Sequence, residues 1–186
     1  MKKQANKMLN NLIEYVDNLE NEGIEKFVYY LCDLKFEKNI NLIFQQPFAL
    51  KVIFPVLFKS IENRQMPQLR WLYQLEMYDP IAIERIEEKL GSDSKLAILQ
   101  LANKIEPNDL QTVKLLLDYY LYFLWFGSHH MPEGILTNKI EVEQTKNEIQ
   151  NLFSAYCNSG IIDDQLIRNY TYYVELYNDW FLFHNK

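Results

Sequence analysis

The residue types best suited to chemistry lie in one turn, His129-His130-Met131-Pro132-Glu133-Gly134. Imidazole and carboxylate groups bind metals and transfer protons. Adjacent histidines point in different directions on a helix, and the metalloprotease pattern, two histidines four apart with a glutamate between them, is absent. A structural role is the alternative, because histidine at a helix C-terminus complements the dipole. Contact with a partner is the third interpretation, and it makes His130 and Glu133 candidate contact residues.

Other catalytic patterns are missing from the sequence. Gly-x-Ser-x-Gly does not occur, and no glycine run precedes a Lys-Ser or Lys-Thr pair. The two cysteines, Cys32 and Cys157, lie in separate helical patterns and form neither a disulfide framework nor a zinc motif. We therefore predict a protein that is not an enzyme and that has no catalytic, metal or cofactor-binding residues.

A second group of functional residues is acidic and lies near aromatic side chains. Adjacent carboxylates are usually a solvated helix face, but aromatic residues surrounded by charge are typical of tight protein interfaces. The cluster contains Glu76, Asp79, Glu84, Glu87, Glu88 and Asp93, beside Trp71, Tyr73 and Tyr78. The predicted partner-binding residues are Trp71, Tyr78, Asp79, Glu84, Glu87, Glu88, His130 and Glu133.

The charge distribution indicates what kind of partner such a surface would bind. Residues 1–70 contain ten Lys and Arg against eight Asp and Glu, whereas residues 71–186 contain nine against seventeen. An acidic surface repels phosphate backbones, so we predict no direct binding of nucleic acid. A basic protein would instead be attracted and steered towards it.

The element at the centre of the sequence is an apolar helix that begins near Asn108 and is followed by the histidine turn. Asn108 is its predicted N-cap, and Gly127 is predicted to end it in a left-handed conformation. Because this helix is apolar nearly all round, we expect other elements to surround it. After Lys114 this helix has one charged residue, Asp118. Either Asp118 forms an ion pair with Lys114, or it is a polar group that lines a groove.

Periodic apolar residues predict helices elsewhere too, and few segments alternate as strands do. Pro47 suits a helix start, and Pro55 must kink or divide the helix that contains it. We predict an all-α fold with one domain over 1–186, a bundle of stacked antiparallel helix hairpins compatible with tetratricopeptide or HEAT-like packing. The predicted helices are approximately 4–21, 24–38, a bent helix within 40–61, 67–77, 80–90, 94–104, 108–127, 140–158 and 164–183.

Neither a signal peptide nor a membrane span is expected, because the basic N-terminus lacks an apolar core and the central apolar helix is shorter than the roughly 20 residues a bilayer needs. Two unpaired cysteines fit a reducing compartment. We therefore expect a cytoplasmic location.

The segment Ile105-Glu106-Pro107-Asn108-Asp109, the apolar-aromatic helix and His129-His130-Met131-Pro132-Glu133-Gly134-Ile135-Leu136 together resemble a known family. The similarity is to the small all-helical immunity proteins of bacterial polymorphic-toxin and contact-dependent growth inhibition systems. The resemblance covers approximately residues 95–140. It implies a cytoplasmic antitoxin, without enzymatic activity, that binds a cognate basic toxin domain, often a nuclease such as a ribonuclease, and blocks it.

Two other functions are compatible with the sequence. A tetratricopeptide-like scaffold would hold a peptide or a regulatory protein and bind several partners weakly. An enzyme using His129, His130 and Glu133 would bind metal or lose activity after histidine-to-alanine changes. A toxin gene immediately upstream would favour an immunity protein over both.

Overall fold

The computed structural model describes residues 2–75, 80–91, 94–131, 133–158 and 163–184. These residues form helices and connecting segments and contain no strand, which confirms the all-α prediction. The chain divides into two compact units, Met1–Glu106 and Pro107–Lys186. The single domain over 1–186 and the stacking of its hairpins stay predictions. No helix in the described ranges has the length and apolar character needed to cross a membrane.

The first unit is built from seven α-helices and two π-helical segments in its described residues. A single apolar core, which includes Val28, Ile53, Leu57, Leu69 and Ile98, holds them together. Helix α5 packs against α4 and α7, and α6 also contacts both of those helices. The elements are α1 (Lys2–Asp17), α2 (Asn21–Cys32), π1 (Asp33–Glu37), α3 (Gln46–Phe48), π2 (Ala49–Ile53), α4 (Phe54–Asn63), α5 (Gln68–Gln74), α6 (Pro80–Leu90) and α7 (Ser94–Ile105).

The helix predicted to bend at Pro55 does lose its regular α-helical bonding there. Pro47 lies in the first turn of α3, as predicted, and the segment before Phe54 widens into π2. Phe54 donates its backbone N–H to the carbonyl of Ala49, five residues earlier. In a regular α-helix the ring of Pro55 would crowd the carbonyl of Lys51, and a wider turn relieves that contact.

The second unit contains α8 (Leu110–Ser128), α9 (Lys139–Asn158) and α10 (Asp164–His184). Helix α8 packs against both of the others. The apolar spacing of α10 predicts an inner stripe that includes Leu166 and Tyr177, and both residues are buried. The apolar spacing of α9 predicts that Ile140 faces inward, but it lies in the first turn of that helix and is 71% exposed.

Two local predictions for α8 are wrong. Its N-cap is Asp109 rather than Asn108, since the Asp109 carboxylate accepts hydrogen bonds from the backbone N–H of Thr112 (3.1 Å) and from its hydroxyl (2.5 Å). Gly127 does not end the helix, which continues to Ser128. Glycine is needed there for packing, because a Cβ atom at Gly127 would lie 2.3 Å from the hydroxyl of Tyr177 and 2.8 Å from Cγ2 of Thr137.

Candidate partner-binding surfaces

The predicted acidic patch is best defined on α6, where Glu84, Glu87 and Glu88 are all exposed. Residues three, four and seven apart lie near one another on a helix, so Glu84 and Glu88 share a face with Ile81. Ile81 is 68% exposed. We call Ile81, Glu84, Glu87 and Glu88 the α6 face; it combines carboxylates with an accessible apolar side chain.

The two basic residues of α6 do not neutralise this face, because both are directed to α4. The guanidinium carbon of Arg85 lies 4.6 Å from the ring centre of Phe58 and 5.5 Å from that of Phe54. Lys89 forms an ion pair with Glu62, and this hydrogen-bonded lysine lowers the pKa of the Glu62 carboxyl. The cations of α6 thus stabilise contacts within the first unit, and the ion pairs of the described residues do not include Glu84, Glu87 or Glu88.

Trp71 does not belong to that surface. Its side chain is 4% exposed, and its indole N–H donates to Oε1 of Glu37 at 2.5 Å. The same oxygen accepts a hydrogen bond from Arg70, also at 2.5 Å. An indole packed and bonded in this way is not available to a partner, so Trp71 is corrected from a contact residue to a core residue. Tyr78 and Asp79 lie outside the described residues, as do Glu76 and Asp93.

The histidine turn follows the C-terminal end of α8 directly. His129 and His130 are exposed, and their rings are 5.4 Å apart in an edge-on arrangement. The backbone of His130 accepts a hydrogen bond from the N–H of Gly134, and Glu133 is exposed. Within the described part of the chain no group of three or more His, Cys, Asp or Glu side chains is placed to hold a metal. His130 and Glu133 are therefore surface residues of the second unit, whereas the α6 face is in the first.

Helix α8 also exposes a surface that the sequence did not predict. Tyr122, Trp125 and Phe126 are 60%, 42% and 48% exposed, although this helix was expected to be surrounded. Tyr122, Trp125, Phe126 and His129 follow the three- and four-residue spacing of one helix face, so their rings form one stripe along the helix. The ring of Tyr122 lies 5.3 Å from that of Trp125, which lies 5.5 Å from His129. We call these four residues the α8 stripe.

A pocket of about 310 Å³ opens beside the α8 stripe, between α8 and α10. Asp118, Tyr122 and Trp125 line it from α8, and Tyr173 lines it from α10. Asp118 is exposed as a residue, but partial burial desolvates its carboxyl group. This desolvation raises the pKa of Asp118, against the attraction of Lys114 and with a further increase from Asp163.

The ion pair predicted between Lys114 and Asp118 is not formed. Lys114 Nζ instead lies 3.2 Å from Oδ2 of Asp163, and Oδ1 of the same carboxylate caps α10 by accepting from the backbone N–H of Leu166. These bonds lower the pKa of Asp163. The groove-lining alternative for Asp118 is therefore the one the geometry supports, and no hydrogen bond to this carboxylate is made within the described residues.

The fold and its surfaces define an all-α protein with acidic and aromatic faces. Comparisons with protein-family models, curated proteins and solved structures return no match for this chain. Its function must therefore be inferred from the chemistry of these surfaces.

Proposed function

We propose that this protein is a cytoplasmic immunity protein that binds a basic toxin domain, such as a bacterial nuclease, and blocks its active site without catalysing a reaction itself. The observation that carries the proposal is the α6 face, where Glu84, Glu87 and Glu88 project outward while Arg85 and Lys89 are engaged by α4. A surface on which carboxylates outnumber cations favours a positively charged partner.

A nuclease is a suitable target because its active-site surface must be positive to hold phosphates. Carboxylates placed on such a surface would compete directly with the nucleic acid. The exposed side chain of Ile81 adds an apolar contact among the charges, so that burial can contribute affinity while the carboxylates contribute steering. His130 and Glu133 remain proposed contacts on the second unit, while Trp71 is left out because it is buried.

The test is co-expression with the C-terminal domain of the protein encoded immediately upstream of this gene, with growth as the readout. We expect the wild-type chain to restore growth and to form a complex with the purified toxin domain. Glu84→Lys, Glu87→Lys and Glu88→Lys together should slow association by about tenfold or more at low salt, with a smaller effect at high salt.

A matched control changes the net charge by the same amount on the second unit instead of on the α6 face. Glu148→Lys, Glu175→Lys and Asp179→Lys alter three exposed carboxylates of α9 and α10. If both triple variants slow association to the same extent, only the overall charge matters and the α6 face is not the contact. Failure of the wild-type chain to bind or protect would contradict the immunity function, and weak binding to several unrelated peptides would favour a scaffold.

A further inference from the structure

The pocket between α8 and α10 has the chemistry of a cation-binding site. Rings of Tyr122 and Trp125 form part of one wall, and Tyr173 contributes from the other helix. Aromatic faces attract cations through their negative π surfaces. The carboxylate of Asp118 lies in the same pocket and carries the opposite charge. Aromatic rings and a carboxylate in one concave site distinguish it from an exposed acidic helix face.

The other charged groups described at the pocket do not form an ion pair with Asp118. Asp163 also lines it, and its carboxylate is paired with Lys114 and with the first turn of α10. Lys114 is therefore held at Asp163, and Asp118 lacks a bonded counter-ion among the described residues. Tyr122 and Tyr173 are the other titratable groups lining the pocket. The pocket thus carries net negative charge beside apolar ring surfaces.

We propose that this pocket receives an arginine side chain of the basic protein that the chain binds. Guanidinium is planar, stacks on aromatic faces and can donate two hydrogen bonds to one carboxylate, so it fits both features of the wall better than the compact ammonium of lysine. The inference rests on the proposed function, which supplies a basic protein partner, but it concerns the second unit and not the α6 face.

A small probe tests the pocket without the toxin. N-acetyl-arginine-N-methylamide is titrated into the ¹⁵N-labelled full chain while the three tryptophan indole signals are followed. We expect a saturable shift of the Trp125 indole signal, because this ring lines the pocket. The signal of Trp71 is the internal reference, since its indole is buried in the first unit and bonded to Glu37.

Neutral and charge-matched analogues define what is recognised. The citrulline analogue has the shape of arginine without its charge, and we expect it to bind about tenfold more weakly or not at all. Equal shifts from arginine and citrulline would overturn the inference of a cation site. Equal affinity for the lysine analogue would overturn the assignment to guanidinium.

Variants locate the binding site on the pocket wall. Asp118→Asn should weaken binding of the arginine probe by about tenfold, and Tyr122→Leu should weaken it by about threefold. Asp164→Asn removes an exposed carboxylate that does not line the pocket, and it should leave binding unchanged. Unchanged binding in Asp118→Asn and Tyr122→Leu would contradict the site.

The outcomes separate this inference from the proposed function. Toxin binding without a Trp125 response to the arginine probe would overturn the pocket alone. A pocket that binds the probe in a chain that fails to bind or neutralise the toxin would overturn the immunity function alone.

Discussion

Glu37 in the first unit and Asp118 in the second are both carboxylates near a tryptophan, but their surroundings differ. Glu37 accepts hydrogen bonds from Arg70 and from the indole of Trp71, and both of those side chains are buried. Asp118 faces an open pocket beside Trp125, which is 42% exposed, and burial raises its pKa. A carboxylate whose partners come from its own chain stabilises the fold, whereas one without such partners is available to a ligand.

The largest expected effect in this comparison is on the first unit. Glu37→Ala should lower the free energy of unfolding by about 2–4 kcal/mol, because it leaves the buried Arg70 guanidinium without this partner. The measurement is urea denaturation followed by circular dichroism. Glu25→Ala, which breaks the exposed pair with Lys59, is the control and should cost less than about 1 kcal/mol. Equal losses would mean that the buried pair has no special structural role.

The next effect concerns how α8 and α10, the two walls of the pocket, are held together. Gly127→Ala should destabilise the chain by about 2 kcal/mol, because the added methyl group overlaps the Tyr177 hydroxyl and Thr137. Tyr177→Phe should cost about 1 kcal/mol, since that buried hydroxyl donates to the carbonyl of Leu124 at 2.9 Å.

A double-mutant cycle sharpens this prediction. Removing the Tyr177 hydroxyl makes room for the methyl group, so Gly127→Ala with Tyr177→Phe should destabilise the chain less than the sum of the two single changes. Strict additivity in thermal and urea unfolding would indicate that Gly127 is not required for this close approach.

The smallest effect has the opposite sign. Asp118→Asn should raise the free energy of unfolding at neutral pH by up to about 0.5 kcal/mol, because the folded state disfavours the charged carboxyl. Because the pKa of Asp118 is higher in the folded state than in the unfolded state, the ionised carboxyl lowers the free energy of unfolding at pH values above the folded pKa. It has no such effect at pH values below the unfolded pKa of about 3.9. The advantage of asparagine should therefore disappear as the pH falls through the raised pKa. Destabilisation by Asp118→Asn at pH 7 would mean that the Asp118 carboxylate stabilises the fold, as Glu37 does.

Local chemistry was enough to predict several helix boundaries. Pro80 opens α6 and Gly91, with φ of 88°, follows its end, as the sequence indicated. Pro47 indicated where the helical segment that contains π2 begins, and Pro55 indicated that its α-helical bonding is interrupted. These features depend on a residue's own backbone and its neighbours in the chain, which a sequence displays directly.

The mispredicted features depend on contacts that are distant in sequence. Gly127 looked like a helix stop, but its role is set by Tyr177, fifty residues later. Helical spacing offered an ion pair between Lys114 and Asp118 as one of two interpretations, but Lys114 pairs with Asp163, just before α10. Trp71 was placed on the surface because its acidic neighbours suggested an interface, whereas Glu37 and the core of the first unit hold it inside. The exposed α8 stripe was missed because its aromatic residues look like core in a linear pattern.

The most direct test of the difference between these carboxylates is the pKa of Asp118 itself, measured by ¹³C NMR titration of the full chain with and without N-acetyl-arginine-N-methylamide. We expect a pKa above the ordinary aspartate value of about 3.9 in the free chain and a decrease when the probe is bound, because a cation stabilises the charged form. A pKa at or below the ordinary value that does not respond to the probe would contradict it.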